Sequence, residues 1–177
     1  MKYIFCLLIV STWTQLTLAQ QNEVRFFSVE ADYFYGSILE HNPDIAHLIT
    51  GHPEGVILSY NRKTYGFNEW ESRYNFPDWG VSFLYQDLKN PFLGETYALL
   101  AHFNWYFLNR NLFVGVGQGI AYASNPYNSE TNYNNNAYGS RFLATTVFRA
   151  NYTRENIYNG FGFHVGLGLI HHSNGNF

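Results

Sequence analysis

Cysteine is almost absent from this 177-residue chain, and the single one, Cys6, falls in an apolar stretch at the amino terminus. Once that stretch is removed, no disulfide framework, no thiolate metal site and no lipid-anchoring cysteine remains, so packing and hydrogen bonds alone must hold the fold. Charge is scarce as well. Only 13% of residues are Asp, Glu, Lys or Arg, against about 25% in an average soluble domain. The balance is slightly acidic, 10 Lys+Arg against 13 Asp+Glu, which excludes the basic footprint of a nucleic-acid binder. Long apolar runs are missing too: no later segment approaches the roughly 20 residues a membrane-crossing helix needs. Neither an internal repeat nor a linker breaks the chain, so it reads as one domain.

Aromatic residues, by contrast, make up 20% of the sequence. At the start, Lys2, the apolar run Ile4–Val10 and the small-residue site Thr17-Leu18-Ala19 form a secretory signal peptide spanning 1–19. The mature domain is then 20–177. An exported, aromatic-rich, cysteine-free chain without a membrane helix is expected to be all-β: an antiparallel transmembrane β-barrel in a bacterial outer membrane.

The period of the sequence supports this, because side chains alternate faces along a strand. From Val24 to Tyr35, Phe27, Val29, Ala31, Tyr33 and Tyr35 share one face, and Ser28, Glu30 and Asp32 the other. Gly55–Tyr65, Trp79–Gln86, Glu95–Leu108, Leu112–Ala123 and Arg141–Tyr152 alternate in the same way. In Leu112–Ala123 large residues oppose Gly115, Gly117, Gly119 and Ala121, as a narrow lumen requires. A seventh strand starts at Phe161. Closed barrels of this kind have even strand numbers, so eight strands are expected, seven of them visible; the eighth lies beyond Phe177 or, in the other reading, is miscounted within Leu39–Tyr74. Connections alternate between the tight turn Leu108–Leu112 and long excursions, Leu39–Pro53 and the asparagine-rich Ser124–Ser140, read as a solvated loop. Inward-parity Glu30, Asp32, Arg141 and Arg149 are expected to pair inside the barrel. His41, His47 and His52 show no metal-ligand spacing, so no metal and no cofactor is expected.

The seventh strand carries the chemistry. Phe161, Phe163, Val165, Leu167 and Leu169 form an apolar stripe, and His171 and Ser173 continue it. An imidazole two residues from a hydroxyl on one strand face has the spacing that activates a nucleophilic serine. On a lipid-facing stripe, that makes a hydrolase opening onto the membrane. His172 has the opposite parity and reads as structural.

The segment His171-His172-Ser173-Asn174 at the end of a glycine-rich strand resembles the signature of outer-membrane lipid A 3-O-deacylases (PagL type), and of their Bacteroidetes-type relatives labelled acyloxyacyl hydrolases. Pro43–Leu48 with Gly51-His52, and Tyr74–Tyr85, are similar to the same relatives. The resemblance implies an eight-stranded barrel in the outer membrane that removes the ester-linked 3-hydroxyacyl chain from the 3-position of lipid A. It assigns Ser173 as nucleophile, His171 as general base and Asn174 to oxyanion support. Its acidic triad member would lie beyond Phe177, so the chain as it stands is expected to be inactive. Expected partners are lipopolysaccharide and outer-membrane lipids, with no nucleic acid. The competing reading is a non-catalytic small outer-membrane barrel, an anchor or surface-binding protein, in which His171 and Ser173 are interfacial polar residues.

Overall fold

The computed structural model describes residues 26–40 and 42–174. The expected signal peptide, His41 and the expected eighth strand lie outside them. Seven strands form one antiparallel sheet in which each pairs with its neighbour in sequence. They are β1 (Phe27–Tyr35), β2 (Glu54–Arg62), β3 (Asp78–Asp87), β4 (Glu95–Phe107), β5 (Leu112–Ala123), β6 (Phe142–Tyr158) and β7 (Phe161–Asn174). A 3₁₀ helix (Pro43–Leu48) precedes β2 and a short helix, α1 (Glu69–Arg73), precedes β3. No described helix is long and apolar enough to cross a membrane.

The sheet curls into a half-barrel. Across its concave side Asp32 of β1 meets Arg149 of β6 at 3.2 Å and His164 of β7. Alternation sorts the two faces. Ile57, Leu84, Leu100, Leu143 and Val147 point inward into the core, together with the buried polar residues Ser59, Asn61, Ser82, His102 and Asn104. Tyr60, Phe83, Leu99, Phe148 and Leu167 point outward and stay exposed, Leu167 at 82%. A continuous apolar outer wall of this kind needs lipid or a partner against it. The small residues on the inner face of β5 meet the expected crowding: a Cβ on Gly115 would stand 2.4 Å from Asn104 Oδ1.

Two strand ends and one side chain differ from the sequence reading, each for a local reason. β2 stops at Arg62 because Thr64 Oγ1 donates to Pro77 O (2.7 Å) and Glu71 captures the next amides. β6 runs on to Tyr158 because Asn159 and Gly160, with φ of 47° and 86°, form the two-residue turn suited to a tight hairpin. Arg141 does not join the interior charges; it lies at the rim, exposed, with Nη1 3.0 Å from the outward Tyr122 hydroxyl. Of the four expected interior charges, Asp32 and Arg149 do pair, and they are joined by His164, which the sequence reading did not include, with Glu30 beside them.

The two ends of the barrel differ. One carries the tight connections 108–111 and 159–160 together with the 63–77 segment that holds α1, and is closed by an ionic cluster. There the fully buried Asp78 accepts from Tyr106 Oη (2.7 Å) and from Arg110, and Lys63 pairs with Glu155 (2.8 Å). The other end carries 36–53, 88–94 and 124–141, and β7 finishes there.

Candidate active site

β7 ends among the long loops, and its register against β6 fixes the site. His171 stands opposite Thr146 and Ser173 opposite Ala144. Thr153 N donates to Asn111 O, so the odd-numbered residues of β6 bond toward β5 and the even-numbered ones toward β7. The main-chain groups of His171 and Ser173 are accordingly taken up by Thr146 and Ala144, whereas the N–H of Asn174 points away from β6. Both His171 and Ser173 project outward and are exposed, at the end of the stripe made by Phe163, Val165, Leu167 and Leu169. Neither side chain has a hydrogen bond, and no carboxylate pairs with His171, among the described residues. The small Ala144 beside Ser173 leaves the hydroxyl open to the surroundings.

The inner face of the same strand is the reverse. His172 Nε2 donates to Gln86 Oε1 (3.1 Å), Nδ1 accepts from Thr145 Oγ1 (2.8 Å), and the ring stands edge-on to Tyr138. With both nitrogens engaged, His172 is a brace between β7, β6 and β3, the structural part its parity predicts. Burial pushes the Tyr138 phenol well above its usual range. The Asn174 side chain also serves structure: Oδ1 accepts from Gly139 N (2.7 Å) and Nδ2 donates to Ala137 O (3.1 Å), fastening the 124–141 connection to the end of β7.

That connection is not a solvated loop. Asn132 and Asn135 are 5% and 0% exposed. Asn135 Nδ2 donates to Asn125 O (2.7 Å) while its Oδ1 accepts from Ala137 N and Tyr138 N, and Asn132 Nδ2 donates to Phe92 O (2.9 Å). The asparagines take up main-chain groups that a turn-rich segment would otherwise leave unpaired. His47 is part of the same assembly, donating through Nε2 to Asn134 O (2.8 Å), and His52 donates through Nδ1 to Gly36 O (3.1 Å). Neither of these histidines approaches the other as a metal ligand. Glu30, Asp32 and His164 do bring ligand atoms within 4.8 Å of one another, but the Arg149 guanidinium already supplies positive charge to Asp32.

Sequence reading missed one feature of the outer wall. Gln118 of β5 lies on the same face as Val114, Val116, Ile120 and Tyr122, directly across from Thr146, whose Oγ1 donates to Gln118 Oε1 at 2.5 Å. Gln118, Thr146 and His171 therefore form one row across three strands. The signal was present as a polar residue at an outward position of an otherwise apolar face, but only the cross-strand register shows that it aligns with His171.

No curated protein and no solved structure matches the chain. A family model does. Described as lipid A 3-O-deacylase (PagL), it matches residues 54–177, from the first residue of β2 through the His-x-Ser-Asn segment. The resemblance noted at Tyr74–Tyr85 falls inside this range, and that at Pro43–His52 lies before it. With well over half of its length matched, and with the strand order and outward site already described, the chain belongs to the lipid A 3-O-deacylase (PagL) family.

Proposed function

We propose that this protein is an outer-membrane serine esterase that removes the ester-linked 3-hydroxyacyl chain from the 3-position of lipid A. Ser173 is the nucleophile, His171 the general base and Asn174 a support for the oxyanion. The observation that carries this reading is the position of His171 and Ser173. They stand side by side, unbonded and outward, where an apolar wall meets the long-loop end of the barrel. In a bacterial outer-membrane barrel the longer loops face outside, and lipid A occupies that leaflet. An acyl ester near the top of the hydrocarbon layer then reaches Ser173 without leaving the membrane.

The chemistry follows from the groups present. His171 takes the Ser173 proton as the oxygen attacks the ester carbonyl, and returns it to the departing sugar alkoxide. An acyl-serine remains, which water hydrolyses with His171 again acting as base. The tetrahedral oxyanion needs donors, each worth about 3 kcal/mol in comparable acyl-transfer enzymes. With its carboxamide committed to Gly139 and Ala137, Asn174 offers its main-chain N–H, which is directed away from β6. A third group orienting the imidazole would complete a triad.

The test is mass spectrometry of lipid A from cells expressing the complete gene, alongside a Ser173→Ala copy. The expected result is loss of one hydroxyacyl chain with the parent and none with the variant. Unchanged lipid A beside a correctly inserted parent barrel would overturn the esterase reading and favour an anchoring or surface-binding role.

A further inference from the structure

The outward residues of the sheet fall into rows across the strands, and two of these rows place Ser173 relative to the membrane surface. Tyr85, Tyr97, Tyr122 and Phe142 are cross-strand partners in turn, making one aromatic row over β3 to β6 at the long-loop end. Rings with an apolar body and a polar tip gather where hydrocarbon meets headgroups. The next outward row, farther from the loops, is Phe83, Leu99, Ile120, Ala144 and Ser173. Two residues along a strand span about 7 Å, so Ser173 lies about that far below the headgroup level.

Arg141 hangs over the aromatic row. Its Nη1 donates to Tyr122 Oη (3.0 Å), and its guanidinium lies 6.0 Å from the centre of that ring, against which Phe142 stands edge-on. Because the Tyr122 hydroxyl accepts from Arg141, its own proton stays free to donate. Guanidinium N–H groups and a phenol O–H are thus presented together at the rim. Lys89, the other described lysine or arginine at this end, is held by Glu54 and Asp87, each at 2.7 Å. Glu95, the rim carboxylate of β4, accepts from Tyr85 Oη (3.2 Å) and Tyr97 Oη (2.5 Å). Arg141 forms no ion pair among the described residues, which leaves its charge for a ligand.

Resting on the esterase reading of Ser173, we propose that Arg141 and Tyr122 bind a phosphate of the lipid A headgroup and so seat the substrate with its ester at Ser173. Lipid A carries its phosphates and its acyl esters on one sugar backbone. An anion held at the aromatic row therefore leaves the esters one row lower, at the level of Ser173. Tyr122 stands two strands from β7, about 10 Å across, within the breadth of a disaccharide. A guanidinium pairs with phosphate oxygens as a two-pronged fork, a stronger contact than a point charge gives. Neither residue touches a reacting atom, so the pair sets affinity for the substrate and leaves the chemistry to Ser173 and His171.

The experiment uses purified full-length protein refolded in phosphate-free detergent micelles, with lipid A and chemically dephosphorylated lipid A as alternative substrates. The micelles hold no other phosphate, so any effect of phosphate comes from the substrate's own headgroup. Arg141→Gln is expected to raise KM for phosphorylated lipid A roughly tenfold, with kcat within about twofold. On dephosphorylated lipid A the variant should match the parent. Tyr122→Phe should raise KM in the same direction by a smaller factor, and Arg141→Lys, which keeps the charge without the fork, should fall between parent and Arg141→Gln. Parent KM in Arg141→Gln on phosphorylated lipid A would overturn the proposal. An equal rise on both substrates would also overturn it and make Arg141 an anchor of the barrel at the interface. A fall in kcat at unchanged KM would do the same and move the pair to the chemical step. Binding of the two lipids to Ser173→Ala protein, with and without Arg141→Gln, reads the same discrimination without turnover. Full activity of Ser173→Ala would remove the serine mechanism, while the binding arm still decides the headgroup contact.

Discussion

His171 and His172 are neighbours in the chain and opposites in the structure. His172 has both ring nitrogens bonded, to Thr145 and Gln86, and an aromatic neighbour in Tyr138. His171 has no hydrogen bond among the described residues and looks outward over the apolar wall. Nothing in the residue type accounts for this; the half-turn between successive strand positions does. The same alternation separates Ser173 from Asn174, the first open to the surroundings and the second fastened to Gly139 and Ala137. On β7 the inner-face polar groups His172 and Asn174 are taken up in holding the barrel together, which leaves His171 and Ser173 on the outer face for a substrate.

The largest expected effect comes from reversing the two histidines by mutation. His171→Ala should reduce deacylation by roughly 10⁴-fold or more, the loss typical of removing the base of a serine nucleophile. Its midpoint in urea should stay at the parent value, because no hydrogen bond is lost. His172→Ala should do the opposite. It leaves Thr145 and Gln86 without their partner beneath a new void, a loss of about 2–4 kcal/mol, while the activity of the folded fraction remains. Activity per folded molecule and unfolding midpoints, measured for both variants, check the pair. Equal loss of activity in the two would break the comparison.

A smaller effect is expected at the end of the strand. Asn174→Ala removes the two bonds to 137–139, which are exposed, and should lower stability by only about 1 kcal/mol. Its main-chain N–H is untouched. If that N–H is the oxyanion donor, kcat should fall far less than the roughly hundredfold or greater loss that removing a donor side chain produces. A loss of that size would transfer the oxyanion contact to the carboxamide and away from the structural bonds. Steady-state kinetics of Asn174→Ala beside Asn174→Asp distinguish the two.

How much of this was legible beforehand follows the same division. Face assignments were, because period-2 alternation with aromatic residues on one side is a strong signal, and it placed His171, Ser173 and His172 without any structure. What depends on register was not. The Gln118–Thr146–His171 row joins residues distant in sequence, and only the pairing of β5, β6 and β7 aligns them. Arg141 had inward parity yet lies at the rim, because a long side chain at the last position before a strand can turn to Tyr122 instead. The asparagines of 124–140 looked like solvent-facing composition. Their side chains replace water as partners for the main chain, which depends on where Phe92 and Asn125 come to lie. The Asn159-Gly160 hairpin was readable in principle, since that dipeptide is a strong turn signal.

The smallest expected effect sharpens the comparison from the opposite end of the barrel, where a carboxylate is wholly given over to structure. Glu71 of α1 is buried, and its Oε2 accepts from the N–H groups of Tyr65 (3.2 Å), Gly66 (2.8 Å) and Phe67 (3.0 Å), while Oε1 accepts from Asn68 Nδ2 (2.8 Å). Burial alone would raise its pKa. The Asn68 amide and the three main-chain donors outweigh that and hold the carboxyl below the usual range. A folded pKa below the unfolded one, about 4.3 for a free glutamate, stabilises the connection fully at neutral pH. That contribution shrinks progressively as pH falls below the unfolded value and is gone once pH has passed the depressed folded value. Hydrogen-exchange protection at Tyr65, Gly66 and Phe67 should therefore be full at neutral pH and fall progressively as pH drops below the unfolded value. Glu71→Gln, which keeps shape but loses the charge, should speed it roughly tenfold at neutral pH. Deacylation should be unmoved, because the segment caps the end of the barrel away from Ser173. A change in kcat would mean that the two ends communicate, and that the inner-face scaffold and the outer-face chemistry are not separable.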